Sequence, residues 1–257
     1  MKLLSLSLIT ATVFLSACNF QNNIIPSKEI VKFEVPIDNI NAIDASGIYK
    51  IGIRLGTEEK LMIRCNENLQ EYLNIADEGT EVSFDMDNVS SSSEITLEAY
   101  LTVTDLKSVN CSGAVKVNLE NGKYNDVEFD LSGVSSVKGK EILAENINID
   151  GSGASLFEVS ALNTKEIALD FSGASNAMLG GNSSFLKADF SGASHLKASE
   201  FNVSEKAEIS ASGASGLKIK VRGSIRAEMS GASHLVYSGT PTKVTKSVSG
   251  AASVSSD

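Results

Sequence analysis

A Ser-Gly dipeptide recurs through the second half of the chain at nearly constant spacing. Its glycines stand 18 to 21 residues apart, at positions 113, 133, 153, 173, 192, 213, 231 and 250. Five copies extend to the tetrad Ser-Gly-Ala-Ser, at 152–155, 172–175, 191–194, 212–215 and 230–233. A fixed period of this length indicates a chain of stacked structural repeats, in which each repeat packs against its neighbours.

Apolar and polar residues alternate around each dipeptide, which is the period of a β-strand. Before Gly173, for example, the apolar positions are Ile167, Leu169 and Phe171. Strands that repeat every 20 residues are typical of a β-solenoid, so we predict an all-β, single-stranded parallel β-helix with about 20 residues per coil. An ordinary β-sandwich is the alternative, but it would not need one constant period. Weaker alternation at 49–55, 60–65, 80–85 and 95–103 predicts the first coils, and residues 30–35 are expected to cap that end.

The repeat also predicts which residues line up from coil to coil. The glycines share the parity of the core residues, so we expect an inward glycine column that allows close approach or a corner with positive φ. The serines two residues after glycine are expected to form a buried or half-buried hydroxyl ladder, bonded from coil to coil. They are residues 155, 175, 194 and 215.

The first 17 residues have the pattern of an export signal. Lys2 provides a positive charge, and the apolar stretch from Leu3 to Leu15 is too short for a permanent membrane-spanning helix. The stretch ends in Leu-Ser-Ala-Cys, which resembles the bacterial lipobox. This resemblance implies that Cys18 becomes the mature N-terminus and carries a diacylglycerol and usually a third acyl chain. The alternative is an ordinary secretory signal with a chance cysteine.

The remaining chain divides into a tether and a repeat domain. We expect residues 18–32 to be a lipidated tether and residues 33–257 to be the β-helix. Two or more acyl chains would hold the protein stably on a membrane. Asn19 and Phe20 follow the cysteine, and the lack of an acidic residue there favours the outer membrane over inner-membrane retention.

Composition narrows the classes of partner. Hydrophobic residues make up 42% of the chain, which is enough for a real core and excludes a disordered or collagen-like protein. Lys and Arg total 22 against 32 Asp and Glu, for a net charge of −10. Nucleic acid is therefore a poor partner.

These features together resemble one known family. The lipobox, the segment Ile43–Ile48 and the tandem Ser-Gly-Ala-Ser coils are similar to DUF2807, the putative auto-transporter adhesin, head GIN domain family. The resemblance extends over roughly residues 33–257. It implies a right-handed β-helix similar to pectin-lyase-type folds without the catalytic residues of those enzymes, a role in cell adhesion, and no established activity or cofactor.

The strongest candidate for chemistry is a row of aspartates three residues before successive glycines. The row comprises Asp130, Asp150, Asp170 and Asp189, continues as Ser210 and Glu228, and has an earlier member in Asp44. Parity places these side chains outward, about 4.8 Å apart from coil to coil. Because aligned like charges repel, the row needs a cation, a Lys neighbour or hydrogen bonds to offset the repulsion.

Three interpretations of the aspartate row are open. It is a Ca²⁺-binding or glycan-binding face, because hard cations take carboxylate oxygens. It is a glycosidase pair, because carboxylates about 5–5.5 Å apart suit a retaining mechanism. It is a solvated acidic stripe that keeps the surface soluble. Four equivalent carboxylates lack the two unlike environments of an acid–base pair, which argues against catalysis.

Other residue types with possible chemistry are few. His195 and His234 occupy one outward column with Gly216 between them, about 9.6 Å apart, which we interpret as too far for one metal ion and as a pair of surface side chains. Cys65 and Cys111 are expected to be buried, and a disulfide between them is neither required nor forbidden.

The sequence therefore predicts a lipid-anchored cell-envelope protein with a non-catalytic binding or structural role, in adhesion or glycan contact. Its expected partners are a membrane, through the lipid, and a glycan or another envelope protein. The competing hypothesis is a polysaccharide-active enzyme, a glycosidase or lyase-like protein, that uses the aspartate row. No cofactor is expected apart from a possible Ca²⁺.

Overall fold

The structure, a computed structural model, describes residues 22–257 except Asn88 and Ser92. The export signal and Cys18 lie outside the described residues, so lipidation stays a prediction. The described chain is 65% strand and 3% helix, and it forms a parallel β-solenoid of about seven turns with roughly 20 residues per turn. No helix in this part of the chain is long and apolar enough to cross a membrane.

The strands are numbered in chain order. Those of the first half are β1 (Asn22–Asn23), β2 (Ile30–Val35), β3 (Ala42–Ala45), β4 (Lys50–Leu55), β5 (Lys60–Asn66), β6 (Leu73–Asp77), β7 (Glu81–Met86), β8 (Val89–Ser90), β9 (Leu97–Val103), β10 (Ser108–Cys111), β11 (Lys116–Leu119), β12 (Gly122–Lys123) and β13 (Asp126–Leu131). A 3-10 helix, Glu67–Tyr72, lies between β5 and β6. The later strands are β14 (Ser136–Gly151), β15 (Leu156–Phe171), β16 (Asn176–Phe190), β17 (His195–Ala211), β18 (Gly216–Val221), β19 (Ser224–Met229), β20 (His234–Ser238), β21 (Lys243–Val248) and β22 (Ser253–Ser256).

Each coil contributes one strand segment before its Ser-Gly turn and one after it, and the longer strands add a third segment between the two, as where Gly122 and Lys123 pair with Ile142 and Leu143. The segments before the turn pair in parallel to form the first sheet, and the segments after the turn form the second sheet. Pairing is in register across the regular coils, so residues at equal offsets from glycine are direct neighbours. Asp150, for example, is the partner of Asp130 on one side and of Asp170 on the other.

The region before the regular repeats folds differently from a simple series of coils. The sequence predicted first coils at 49–55, 60–65, 80–85 and 95–103. The structure confirms β4, but β7 and β9 form the coil below β3 and β4 although they follow them in the chain. β5 pairs antiparallel with β9, so the expectation that it forms a coil is wrong.

Antiparallel strands close this end of the solenoid. β2 pairs antiparallel with β5, and β6 pairs antiparallel with β7. Val31, Phe33 and Val35 of β2 pack against the core. The sequence suggested 30–35 as a cap, and the structure confirms it, because this strand covers apolar residues that would otherwise face water.

The core is a stack of inward-facing columns. Ile147, Ile149 and Gly151 before one turn are buried, as are Phe157 and Val159 after it. Aromatic rings stack between coils: Phe171 and Phe190 are register partners whose ring centroids are 5.3 Å apart with nearly parallel planes. Aromatic side chains bury large areas, so this column is a strong contributor to stability.

The Ser-Gly turn makes the corner between the two sheets. Its glycines have φ near +70°, as at Gly133 and Gly153, a backbone region that glycine adopts without strain. The prediction of a positive-φ corner is confirmed, but the prediction that glycine faces the core is wrong, since Gly153 is exposed. Parity fails here because the chain turns at glycine. The next inward residue is therefore the serine two positions later.

A backbone hydrogen bond joins each turn to the one before it. The N–H of the residue after glycine donates to the glycine carbonyl of the preceding coil, as from Ala154 to Gly133 and from Ala174 to Gly153, both at 2.8 Å. The same bond recurs at 2.6–2.8 Å for every turn from Ala114 to Ala251. The parallel ladder thus continues through the corner, where a loop would normally interrupt it.

The serines after glycine are buried, as the sequence predicted, but most of them bond differently from the expected ladder. Ser155 donates to Ser175 of the next coil at 3.0 Å, which is the expected coil-to-coil bond. Ser215 and Ser233 instead donate to the carbonyl three residues earlier, within their own turn. Ser194 Oγ has no hydrogen-bond partner among the described protein groups. These hydroxyls therefore mainly stabilise the turn itself.

The stacked turns predict a difference between two alanine substitutions. A Cβ at Gly153 would lie 2.6 Å from the Gly133 carbonyl oxygen, whereas a Cβ at Gly47, in the first turn of the series, meets nothing within 4 Å. Both positions have positive φ, which costs a non-glycine residue about 1–2 kcal/mol. Gly153→Ala should therefore lower the free energy of unfolding more than Gly47→Ala, as measured by urea denaturation. Equal losses would contradict the close approach of the turns.

Candidate functional site

The predicted aspartate row exists as a straight outward column on the first sheet. The register partners run from Asp44 through Asn110 to Asp130, then through Asp150 and Asp170. Asp189, Ser210 and Glu228 continue the column toward the end of the solenoid. Asp130, Asp150 and Asp170 are exposed and Asp189 is half-buried. Each strand repeats the same offset from its glycine, and bulges between coils absorb the differences in coil length.

The first half of this column lines a groove. The groove has a volume of about 530 Å³ and runs along the corner where the first sheet meets the Ser-Gly turns. We call it the acidic groove. Two rows of polar side chains line it along the solenoid axis, namely Asp44, Asn110, Asp130, Asp150 and Asp170 from the strands and Ser112, Ser132, Ser152 and Ser172 from the turns.

The structure separates the four predicted aspartates into two groups. Asp189 is paired with Lys187 at 3.5 Å, and Glu228 further along is paired with Arg226 at 2.7 Å. Asp130, Asp150 and Asp170 form no ion pair within the described part of the chain. Asp130, Asp150 and Asp170 therefore remain available to an external ligand.

Asp150 is the electrostatic centre of the acidic groove. Partial burial raises the pKa of its carboxyl, and the negative charges of Asp130, Asp170 and Glu128 raise it further. Each neighbour disfavours the ionised form, as is usual for carboxylates that share a site. A ligand that brings positive charge or hydrogen-bond donors to Asp150 would relieve this repulsion.

Glu128 provides a further carboxylate beside Asp130 and Asp150, although it is not part of the aspartate row that the sequence predicts. Its strand position is two residues before Asp130, so it points to the same side of the sheet. Ligand oxygens of Glu128, Asp130 and Asp150 lie within 4.8 Å of one another, close enough to hold one metal ion. Carboxylate oxygens are the ligands that Ca²⁺ prefers.

Two signals in the sequence could have identified the true extent of the groove. Parity alone assigns Glu128 to the outward face. Among the four aspartates, only Asp189 has a lysine two positions earlier in the chain. That lysine is Lys187, which forms the ion pair with Asp189. Asn110 was missed because its coil has asparagine at the aspartate offset, although its spacing from Gly113 is the same.

The two cysteines and the two histidines are placed apart from the acidic groove. Cys65 and Cys111 are buried and free, so no disulfide joins them. Burial raises the pKa of the Cys111 thiol to about 12. His195 and His234 lie on the outer face of the second sheet, and both are exposed. Their rings both approach the space over Gly216, so the backbone spacing of about 9.6 Å is not the separation of their ring atoms. The prediction that they are too far apart for one ion used that spacing and left out the reach of the side chains.

A comparison with protein families decides the classification. The model of the family described as putative auto-transporter adhesin, head GIN domain (DUF2807) matches residues 39–241. The chain belongs to this family. The match includes the antiparallel cap strands β5 and β6, the acidic groove and all turns up to Gly231. Membership of an adhesin-type family indicates a protein of the cell envelope or surface. No curated protein matches the chain.

Solved structures of similar shape include two from Parabacteroides species. A putative lipid binding protein from Parabacteroides distasonis ATCC 8503 has a TM-score of 0.85 at 17% identity, over 92% of this chain and 100% of that one. A putative adhesin from Parabacteroides merdae ATCC 43184 has a TM-score of 0.82 at 18% identity, over 92% and 99% of the two chains. At these identities the likeness establishes a shared fold.

The charge repulsion in the acidic groove predicts how stability depends on pH. A folded-state pKa raised above the unfolded value means that stability is lost as pH rises through the folded pKa. Asp150→Asn should therefore raise the unfolding temperature at pH 7 by about 1–2 °C, the size of a surface effect in a domain of this length. The gain should vanish at pH 3, where the carboxyl is protonated. Calorimetry at both pH values checks this.

The control is Glu228→Gln, at the same offset in the same column but paired with Arg226. It should leave the unfolding temperature unchanged or slightly lower at pH 7. A loss of stability in Asp150→Asn at pH 7 would show that an attractive contact, and not repulsion, dominates at that residue.

Proposed function

We propose that this DUF2807 protein is a non-catalytic binding module of the cell envelope whose acidic groove binds a glycan. The observation that carries the proposal is the row of three unpaired carboxylates flanked by a row of seryl hydroxyls, repeated coil after coil. Membership of an adhesin-type family supports a role in contact with another surface.

The groove has the chemistry that a chain of sugar units needs. Carboxylates accept hydrogen bonds from sugar hydroxyls, and serine hydroxyls both donate and accept. Hydrogen bonds to charged groups are shorter and stronger than those between neutral groups. The groove repeats its donors and acceptors along the solenoid axis, which suits an extended ligand that lies across Asp130, Asp150 and Asp170.

Rigidity of the solenoid supports binding in a second way. The groove residues are on strands and on turns that hydrogen-bond to the neighbouring coil. A ligand therefore meets side chains whose backbone is already ordered, and less conformational entropy is lost on association. A flat, open groove of this kind favours contact along a polymer over enclosure of a small molecule.

A hard cation strengthens the same proposal. Ca²⁺ held by Glu128, Asp130 and Asp150 would neutralise the repulsion that raises the pKa of Asp150. Because Ca²⁺ takes six to eight oxygen ligands, three carboxylates leave coordination positions for water or for sugar hydroxyls. Binding of a glycan would then depend on Ca²⁺.

The competing function is a polysaccharide-active enzyme. Acid–base catalysis needs two carboxylates in unlike environments. Asp150 is flanked by Asp130 and Asp170 at equal register offsets, and all three are exposed, so the groove offers near-equivalent groups instead. The raised pKa of Asp150 is the one feature that favours catalysis. Release of sugar products that depends on Asp150 would reveal such an activity.

We further propose that Cys18 carries the lipid and that the residues between it and β2 tether the solenoid to the outer membrane. The lipobox resemblance supports this anchor. The tether leads to β2, which is part of the cap, so the cap faces the membrane and the later coils extend away from it.

Calorimetric titration tests the groove. The protein is titrated with Ca²⁺ and then with a panel of neutral and acidic glycans, and the unfolding temperature is measured with and without each. The expected result is Ca²⁺ binding with a rise in unfolding temperature, followed by Ca²⁺-dependent binding of a glycan. Both should be lost in the double variant Asp150→Asn, Asp170→Asn.

Glu228→Gln is the matched control, and it should bind like the unmodified protein because it lies outside the groove. Release of sugar products that stops in the double variant would establish the enzyme and overturn the non-catalytic proposal. No heat from Ca²⁺ or any glycan would leave the groove a solvated acidic surface, and the proposal would be wrong.

A further inference from the structure

The second sheet carries a pair of histidines two coils apart in one outward column. His195 is the register partner of Gly216, and Gly216 is the register partner of His234. Asn176 precedes them in the column and Ser253 follows. The glycine between the histidines therefore leaves a gap in an otherwise continuous row of side chains.

Both imidazole rings lean into that gap. A Cβ at Gly216 would lie 2.9 Å from Nε2 and Cε1 of His234 and 3.0 Å from Cδ2 of His195. Nε2 of His234 therefore lies beside the gap, and Nε2 of His195 is one bond away from the Cδ2 atom that lies beside it. Gly216 is buried although it is on the outer face of the sheet, because the rings cover it.

We propose that His195 and His234 bind one divalent transition-metal ion of the Zn²⁺, Ni²⁺ or Cu²⁺ class above Gly216. Imidazole nitrogen suits these ions and binds Zn²⁺ at about 2.0–2.1 Å. The two Nε2 atoms supply two ligands, and water completes the coordination. Ca²⁺ and Mg²⁺ prefer oxygen ligands, so they belong at the acidic groove and not at this pair.

The parallel ladder makes the pair a preorganised chelate. Strands β17, β18 and β20 hold the three positions in adjacent, in-register coils. An ion therefore has to reorient only the exposed ring side chains, while the backbone spacing stays fixed. The absence of a side chain at Gly216 provides the space in which the two rings meet.

Nearby charges set a modest affinity. Lys197 and Lys218 are register partners in the next outward column, both are exposed, and neither forms an ion pair within the described residues. Their positive charge opposes a bound cation. The column itself carries no carboxylate between Asn176 and Ser253. We therefore expect weaker binding than at a site with three protein ligands.

Titration with Zn²⁺ followed by calorimetry, and with Cu²⁺ followed by electron paramagnetic resonance, tests the site. The expected result is one ion per chain and a Cu²⁺ spectrum with two imidazole nitrogens. His195→Asn and His234→Asn should each weaken binding by about tenfold or more, because even the loss of a hydrogen bond to a ligating histidine costs about ten- to hundred-fold.

Gly216→Ala separates the geometry from the residue types. It keeps both histidines but places a methyl group where the rings meet, and φ at Gly216 is outside the left-handed region, so alanine causes no backbone strain there. It should weaken binding as well. Asn176→Ala, in the same column one coil away, should leave Zn²⁺ binding unchanged.

Each contrary outcome overturns the proposal. Unchanged Zn²⁺ affinity in either histidine variant, or a Cu²⁺ spectrum with a single nitrogen ligand, would show that the rings do not chelate one ion. Unchanged affinity in Gly216→Ala would show that the gap is not the site. Thermal unfolding of every variant confirms that loss of binding does not come from loss of the fold.

Discussion

The hydrogen bond from the residue after each glycine to the glycine carbonyl of the previous coil is the contact on which the solenoid depends. It continues the parallel ladder through the corner between the two sheets, from Ala114 to Ala251. The corner is possible because glycine tolerates positive φ and because a coil can approach its neighbour without a Cβ between them. Because each turn is bonded to the turn before it, neighbouring coils cannot shift along one another. These bonds therefore fix the register of the sheets.

Fixed register converts a repeated sequence into straight columns. Inside, the columns bring Phe171 onto Phe190 and bury the serines after glycine. On the outer faces of the sheets, the fixed register also places identical residues next to one another, even where their charges repel. Three unpaired aspartates in a row repel, and this repulsion adds to partial burial in raising the pKa of Asp150. Alignment of this kind costs stability without a ligand, and a ligand that relieves it gains the corresponding binding energy.

The sequence predicted the solenoid and the aspartate row because both depend on period alone. Coils of 20 residues between Gly113 and Gly173 give Asp130, Asp150 and Asp170 the same offset, and the pairing confirms it. The cap was only partly predictable, since strand alternation does not distinguish the antiparallel pairing of β5 from a parallel coil. Glycine was predicted to face the core because counting alternate residues assumes a straight strand. The chain turns at glycine, and the alternation is interrupted there.

The outward chemistry was less predictable than the backbone. The constant offset from glycine makes all four aspartates equivalent, but the side chain of Lys187 pairs with Asp189. Asp189 is therefore not one of the unpaired carboxylates. Backbone spacing separated His195 from His234, but their rings reach across Gly216. In both cases the outcome depends on side-chain length and rotamer, which a repeat period does not contain.

Amide-resolved NMR can show whether ligands bind along a column that crosses successive coils, with Gd³⁺ as a probe for hard cations and La³⁺ as the diamagnetic control. We expect Gd³⁺ to broaden amide signals at the same offset on neighbouring coils, around Asn110, Asp130, Asp150 and Asp170, and to leave the outer face of the second sheet sharp. Broadening that follows a single coil around the solenoid, or that spreads evenly over all acidic residues, would contradict binding along the column.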